Sequence, residues 1–244
     1  MGRAIAVALC RGGVDRIVIH YRRNQHGAIV TAEQCKRHGA QPILLACDLA
    51  DPDSVDRFAS ECFAELAEIH TWINNAGADV LTTAMANQSF AEKLALLTSV
   101  DLLGTIHLAR IASQRMMENR SALPPSMCFV GWDQSSGGME GDAGQMFAPV
   151  KAAITAFAQS LAQSCGSRLR VNTIAPGWIR TAWGESSDDY WDARAKSQSL
   201  MGRWGTPDDV ARGVLFATDP RNSFFTGQVL QLNGGWNRRF DCGG

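Results

Sequence analysis

What most constrains this chain is a rhythm. Short apolar runs rich in β-branched residues recur along it, and stretches with helical spacing lie between them. Residues 16–21 (RIVIHY), 42–47 (PILLAC), 70–74, 127–131, 169–174 and 229–232 read as strands. Most are apolar throughout rather than alternating, which is the pattern of strands covered on both faces. Helices are predicted over 28–38, 51–69, 88–96, 99–118 and 146–165. Gly39 closes the first of these, and Asp51-Pro52-Asp53-Ser54 opens the second with good N-cap chemistry. Strands and helices alternating at these lengths form right-handed crossovers. The expected fold is therefore α/β, a doubly wound parallel sheet with helices on both faces.

The first element breaks the rhythm. Residues 3–11 have helical spacing, with Ile5, Ala8 and Leu9 on one face, and Gly12-Gly13 end the helix. A doubly wound sheet ordinarily starts on a central strand and turns through glycines into its first helix. Here the chain begins where that turn would finish, so a sheet lacking or truncated at its first strand is expected. No repeat or linker divides residues 1–244, so one domain is expected. Residues 178–205, rich in Trp, Ser, Asp and Arg, depart from the rhythm and are expected to form a mobile flap.

Charge and cysteine usage exclude several functions. Lys plus Arg is 23 and Asp plus Glu 24, a net charge of -1, which argues against nucleic-acid binding through a broad basic field. With 45% hydrophobic and 19% charged residues the chain is too apolar to be disordered. The N-terminal apolar run is broken at Arg11 and no other run reads as a membrane span. No membrane partner is expected, and the location is expected to be cytoplasmic. Cys10, Cys35, Cys47, Cys62, Cys128, Cys165 and Cys242 are odd in number and lack CxxC spacing, as suits reduced thiols. The five histidines form no zinc pattern, and no metal is expected.

Four motifs carry a resemblance. Asn74-Asn75-Ala76-Gly77 follows a strand, and Lys151 opens a helix after a Gly-rich loop. Ala175-Pro176-Gly177-Trp178-Ile179-Arg180-Thr181 follows a later strand, and the run from Phe225 to Gly235 (FTGQVLQLNGG) closes the sheet. In this order and at these separations they resemble the short-chain dehydrogenase/reductase family, and within it the 3-oxoacyl-acyl-carrier-protein reductase type. The resemblance covers nearly the whole chain. It implies a Rossmann-type sheet, a nicotinamide cofactor, a small carbonyl or alcohol substrate, and a homo-oligomer, dimer or tetramer.

The resemblance also assigns cofactor positions. Of the family's TGxxxGxG phosphate turn only Met1-Gly2 remains, leaving Gly2, a helix N-terminus and the Met1 ammonium for the pyrophosphate. Two accounts of Met1 are open. It is an internal methionine of a longer chain, or the sheet truly lacks its central strand, at a cost that is a large share of a typical ~5–15 kcal/mol stability. Arg22 and Arg23 stand where a carboxylate would favour NAD; arginine there pairs with a 2′-phosphate, so NADP is expected over NAD. Two solvated surface arginines are the ordinary alternative. Asp48 matches the adenine-pocket aspartate. Asn74 is expected to tie neighbouring strands, while Ala76 and Gly77 let the cofactor approach. Pro176 and Gly177 begin the later motif, in which Ile179 would meet the carboxamide and Thr181 the phosphates.

The catalytic positions depart from the family. Its YxxxK motif reads Phe147-Ala148-Pro149-Val150-Lys151, and a phenyl ring has no exchangeable proton. The carbonyl-polarising serine falls on Gln134, or on Ser135 with a shift of one. The proton-relay asparagine is Asp101, which is expected to pair with Lys151. Asp133, Glu140 and Asp142 are candidate proton sources, each otherwise an ordinary solvated turn residue. Three functions are open: an NADP-preferring oxidoreductase with a non-standard proton donor, a catalytically impaired cofactor-binding or ligand-binding homologue, and an inactive subunit beside an active partner. The flap rings Trp178, Trp183, Tyr190, Trp191 and Trp204 offer surface for an apolar ligand, unless they only pack the flap. Helix faces over 103–112 and 152–161 are candidate oligomer contacts, or ordinary core.

Overall fold

The computed structural model describes residues 1–82, 84–119, 125–185 and 187–238; Cys242 lies outside them. Helix α1 (Gly2–Arg11) leads into β1 (Arg16–Tyr21), α2 (Gln25–Lys36), β2 (Gln41–Ala46), α3 (Pro52–Glu65) and β3 (Thr71–Asn74). Helix α4 (Phe90–Leu97) passes through a π-helical stretch (Thr98–Gly104) into α5 (Thr105–Met116). Then come β4 (Ser126–Val130), α6 (Gly141–Cys165), β5 (Arg170–Pro176), α7 (Ala182–Glu185), α8 (Asp189–Gln198), α9 (Pro207–Thr218) and β6 (Val229–Leu232).

The six expected strands form, and every pairing is parallel. They make two sheets: β1-β2, and β3-β4-β5-β6. Strands β1 and β3 do not pair with each other, so the doubly wound sheet is interrupted between them, where the sequence places the missing strand. Two elements bridge the interruption. On one face, Ile5 of α1 packs in a cluster with Ile73, Val130 and Val214, while Val7 and Cys10 of the same helix pack with Ile17, Ile19 and Cys35. On the other face, the Phe58 ring of α3 lies 5.1 Å from His20 on β1 and 6.4 Å from Trp72 on β3.

Local sequence explains where the elements differ from expectation. Helix α2 starts before residue 28 because Asn24 caps it, its side chain accepting from the Gly27 N–H at 2.8 Å. The helices expected over 88–96 and 99–118 are one. Ser89 and Glu92 form a capping box, and the π stretch carries the backbone on without a break. By length and composition this helix, Phe90–Met116, is apolar enough to cross a bilayer, contrary to the expectation that no run qualifies. Leu97, Val100, Leu108, Ala112 and Met116 are instead buried in the protein core. Helix α6 begins at Gly141, before residue 146, and holds Pro149 inside it. Helix α9 is unanticipated, though Thr206 and Asp209 form a capping box with Pro207 in the first turn.

Candidate functional site

The site residues gather at the C-terminal strand ends, where doubly wound sheets bind ligands. Its best-defined feature is a buried ion pair. Asp101, 3% exposed, sits in the π stretch; its Oδ2 lies 3.0 Å from the Lys151 Nζ of α6. Its Oδ1 accepts from the Ala78 N–H at 2.7 Å. One carboxylate thus ties the turn after β3 to α6. Gly77 fits the same arrangement, since a Cβ there would come within 2.8 Å of Asp101 Oδ2. The π turn offsets the helical register locally and brings Asp101 inward, a common use of such bulges at functional sites.

Phe147 is half-buried one turn before Lys151, its ring edge-on to Trp132 at 6.4 Å. Beneath it Val80, Leu97, Met146 and Val150 form an apolar cluster. Gln134 is 4% exposed, and its Nε2 is buried without a hydrogen-bond partner. Ser135 does not replace it, because its hydroxyl donates to the Trp132 carbonyl at 2.7 Å.

The three candidate carboxylates separate. Glu140 is exposed and pairs in bidentate fashion with Arg194 of α8, which lowers its pKa to about 2. Asp142 is exposed in the first turn of α6. Asp133 alone is buried: its Oδ2 accepts from Asn233 Nδ2 at 3.1 Å, and its Oδ1 has no partner. Burial raises its pKa to about 6, with the Asn233 hydrogen bond opposing the shift. Asp133 also lies close to the Gly177 backbone, 3.1 Å from where a Cβ would stand.

The cofactor positions are partly assembled. Gly2 lies beside Asn75, whose Nδ2 would be 2.9 Å from a Cβ at Gly2. Met1 caps α1 without a side-chain hydrogen bond, and burial and then Arg3 lower the pKa of its ammonium. Arg22 and Arg23 are exposed between β1 and α2. Asp48 is half-buried after β2, its Oδ1 accepting from the Ala50 N–H at 3.1 Å. Ala76 packs against the main core, Pro176 is buried at the end of β5, and Thr181 is half-buried. Ile179 is buried, its side chain in the core cluster beside Gly205, and its carbonyl accepts from the Thr181 N–H at 2.8 Å.

Asn74 corrects the sequence reading. Its Oδ1 accepts from Trp72 Nε1 on its own strand at 3.1 Å, and its Nδ2 is buried without a partner. Its side chain bonds within its own strand, while its backbone pairs with Phe129 of β4. The aromatic flap is also filled from within. Trp178 lies 6.2 Å from Trp183, 5.7 Å from Trp191 and 6.0 Å from Trp204, and Arg194 stacks on Trp178 and Trp191. Tyr190 is 60% exposed, and its phenol accepts from Arg194 at 3.3 Å.

A nicotinamide cofactor fits the donor set at this end. Gln134 Nε2, Asn75 Oδ1 and Asn74 Nδ2 are buried polar atoms without hydrogen-bond partners, and Lys151 of α6 holds a cation against the Asp101 carboxylate. The phosphate end offers the α1 N-terminus.

Comparison with known proteins agrees with the geometry. Residues 1–237 match the family profile described as Enoyl-(Acyl carrier protein) reductase. The chain is 30% identical over 239 residues to the 3-oxoacyl-(acyl-carrier-protein) reductase of Vibrio harveyi, covering 96% of this chain and 92% of that protein. It is 28% identical over 237 residues to carbonyl reductase family member 4 of Xenopus laevis, with the same two coverages of 96% and 92%. Among solved structures, a short-chain alcohol dehydrogenase from Sinorhizobium meliloti superimposes with a TM-score of 0.83 at 23% identity, covering 96% of this chain and 90% of that one. The 3-oxoacyl-(acyl-carrier-protein) reductase of Brucella melitensis, solved with NAD, gives 0.82 at 24% identity, covering 95% and 90%.

Proposed function

The chain belongs to the short-chain dehydrogenase/reductase family, oxidoreductases that use nicotinamide cofactors, and from that premise we propose that it interconverts a carbonyl and an alcohol with NADP(H). The observation that carries the proposal is the buried Asp101–Lys151 pair at 3.0 Å, which holds an ammonium at the strand ends although the family tyrosine is absent. Lys151 has further N–H donors for the nicotinamide ribose. Arg22 and Arg23, exposed just after β1, suit a 2′-phosphate. When bound, the nicotinamide supplies or accepts the hydride. The proton for the carbonyl oxygen comes from Asp133, the one buried carboxyl of the three candidates. Gln134 Nε2 donates toward the same oxygen. A 3-oxoacyl-like substrate is the reading the curated relatives favour, and the 60% exposed Leu103 suits a homo-oligomer contact.

Phe147 favours a second reading, a cofactor-binding homologue with impaired turnover. Calorimetric titration with NADPH and NADH, followed by NADPH oxidation over a carbonyl panel, separates the two. The first reading requires NADPH to bind more tightly than NADH, and slow turnover that Phe147→Tyr raises by about 10²–10⁴-fold. Binding with no turnover in either protein favours the second. No binding of either nucleotide overturns both.

A further inference from the structure

The guanidinium of Arg194 is built into the flap rather than laid on its surface. Helix α8 carries it, and its side chain is only 14% exposed. Its carbon lies 5.7 Å from the centroid of the Trp178 ring and 5.3 Å from that of Trp191, and Nη1 donates to the Tyr190 phenol at 3.3 Å. Aromatic faces fix the plane of the guanidinium, and a fixed fork of N–H donors selects a planar anion with two oxygens. One such anion meets it. Glu140 accepts through both carboxylate oxygens, Oε1 from Nη1 and Oε2 from Nη2, the latter at 3.0 Å. The two partners are held unequally. The Glu140 side chain is 69% exposed and stands in a loop that also holds Gly137, Gly138 and Gly141. It precedes α6 but makes no side-chain capping bond to it. The loop can turn Glu140 out to water at small cost, whereas the arginine is fixed between its rings.

We infer that Arg194 is a receptor for the carboxylate of a small ligand, and that the Glu140 carboxylate holds the place such a ligand takes. Its position makes that ligand a substrate. Trp178, on which Arg194 stacks, follows Gly177, and the Gly177 backbone lies beside the Asp133 carboxyl. The loop carrying Glu140 is tied to Gln134, whose carbonyl accepts from the Gly138 N–H at 2.8 Å. It leads directly into α6 with Phe147 and Lys151. Arg194 thus stands between the two segments that frame Asp133 and Gln134. The substrate class is an oxo-acid or the matching hydroxy-acid, its carboxylate on Arg194 and its carbonyl toward Asp133 and Gln134. A thioester lacks that charge, so the receptor selects free acids over thioesters. As a substrate handle Arg194 rests on the carbonyl–alcohol reading above; as a carboxylate site it does not.

Calorimetry and tryptophan fluorescence on the nucleotide-free protein test this, with levulinate and longer linear oxo-acids each compared with its methyl ester. At least one acid should bind about 10-fold or more tightly than its ester. Glu140→Ala should tighten that acid by about 3–10-fold and leave the ester unchanged, because the internal competitor is gone. Arg194→Met should remove the preference for the acid, and Arg194→Lys should not restore it, since an ammonium lacks the fork. Unchanged or weaker acid binding in Glu140→Ala would make the pair a structural clasp and overturn the inference. Equal binding of acids and esters, no acid binding in either protein, or a preference that survives Arg194→Met overturns it as well. If Arg194→Met fails to fold, the Glu140→Ala comparison decides alone. Failure to bind either nucleotide, which overturns the carbonyl–alcohol reading, leaves these results standing, because none of them needs NADPH or turnover.

Discussion

The two sheets, built from similar sequence, end in different environments. Strands β4 (SMCFV) and β5 (RVNTIAP) are buried at every residue, including Asn172 and Arg170. Strands β1 (RIVIHY) and β2 (QPILLA) carry as many aliphatic side chains and are nowhere fully buried. Apolar content does not decide this. Neighbours do: β4 has a partner on each side and helices on both faces, whereas β1 has one partner and an interruption. The difference teaches that a strand's burial belongs to the sheet rather than to its own residues. It also places the weak part of the molecule on the side that holds Arg22, Arg23 and the α1 N-terminus.

The largest expected effect lies in the closed part. The Arg170 guanidinium, 3% exposed, donates to the carbonyls of Ala217, Asn222 and Phe225 through Nη1, and of Thr218 and Asp219 through Nη2. It gathers the last turn of α9 and the loop before β6 onto β5. Arg170→Met leaves these carbonyls without their charged donor and should cost about 3 kcal/mol or more in urea unfolding. A loss below about 1 kcal/mol would mean that the closed part does not limit global stability.

Asp133 comes next, and its effect has a sign. Its native pKa of about 6 exceeds the ordinary value of 3.8, so between about pH 4 and 6 the native state keeps a proton that the unfolded chain has released. Stability from this group therefore falls as pH rises through that window and stays low above it, by up to about 3 kcal/mol. Asp133→Asn should flatten this part of the stability profile. If Asp133 is the proton donor, the same variant abolishes turnover while nucleotide binding persists. Asp101→Asn follows, at about 2 kcal/mol, because Lys151 loses its charged partner but retains some access to water. NADPH affinity should fall with it, and unchanged affinity would remove Lys151 from the cofactor site.

The strands and their parallel pairing were legible because apolar runs bounded by turn residues leave few alternatives. The interruption was legible too, since a helix stood where a doubly wound sheet needs a strand. The Asp101–Lys151 pair could be anticipated because the resemblance put both residues at one site. Other features lay out of reach. Arg170 at the head of a strand resembles any surface arginine, and only the fold shows that α9 ends over it. Asn74 was expected to tie neighbouring strands, and its side chain instead accepts from Trp72 of its own strand. Helix α9 escaped notice although Thr206-Pro207-Asp208-Asp209 is a good start signal, because the irregular flap before it obscured the rhythm. The flap's tryptophans suggested a ligand surface, yet rings of that size also fill one another.

The smallest effect is the sharpest test of the comparison. Ile174 on β5 is 0% exposed, while Ile19 on β1 is half-buried beside the interruption. Ile→Val removes the same methylene from each. At Ile174 the closed sheet cannot collapse around the loss, and about 1–1.5 kcal/mol is expected. At Ile19 water already reaches the side chain and the neighbours have room to relax, so about 0.5 kcal/mol or less is expected. Equal costs would show that the two parts are equally packed and that the half-burial of β1 has no energetic meaning.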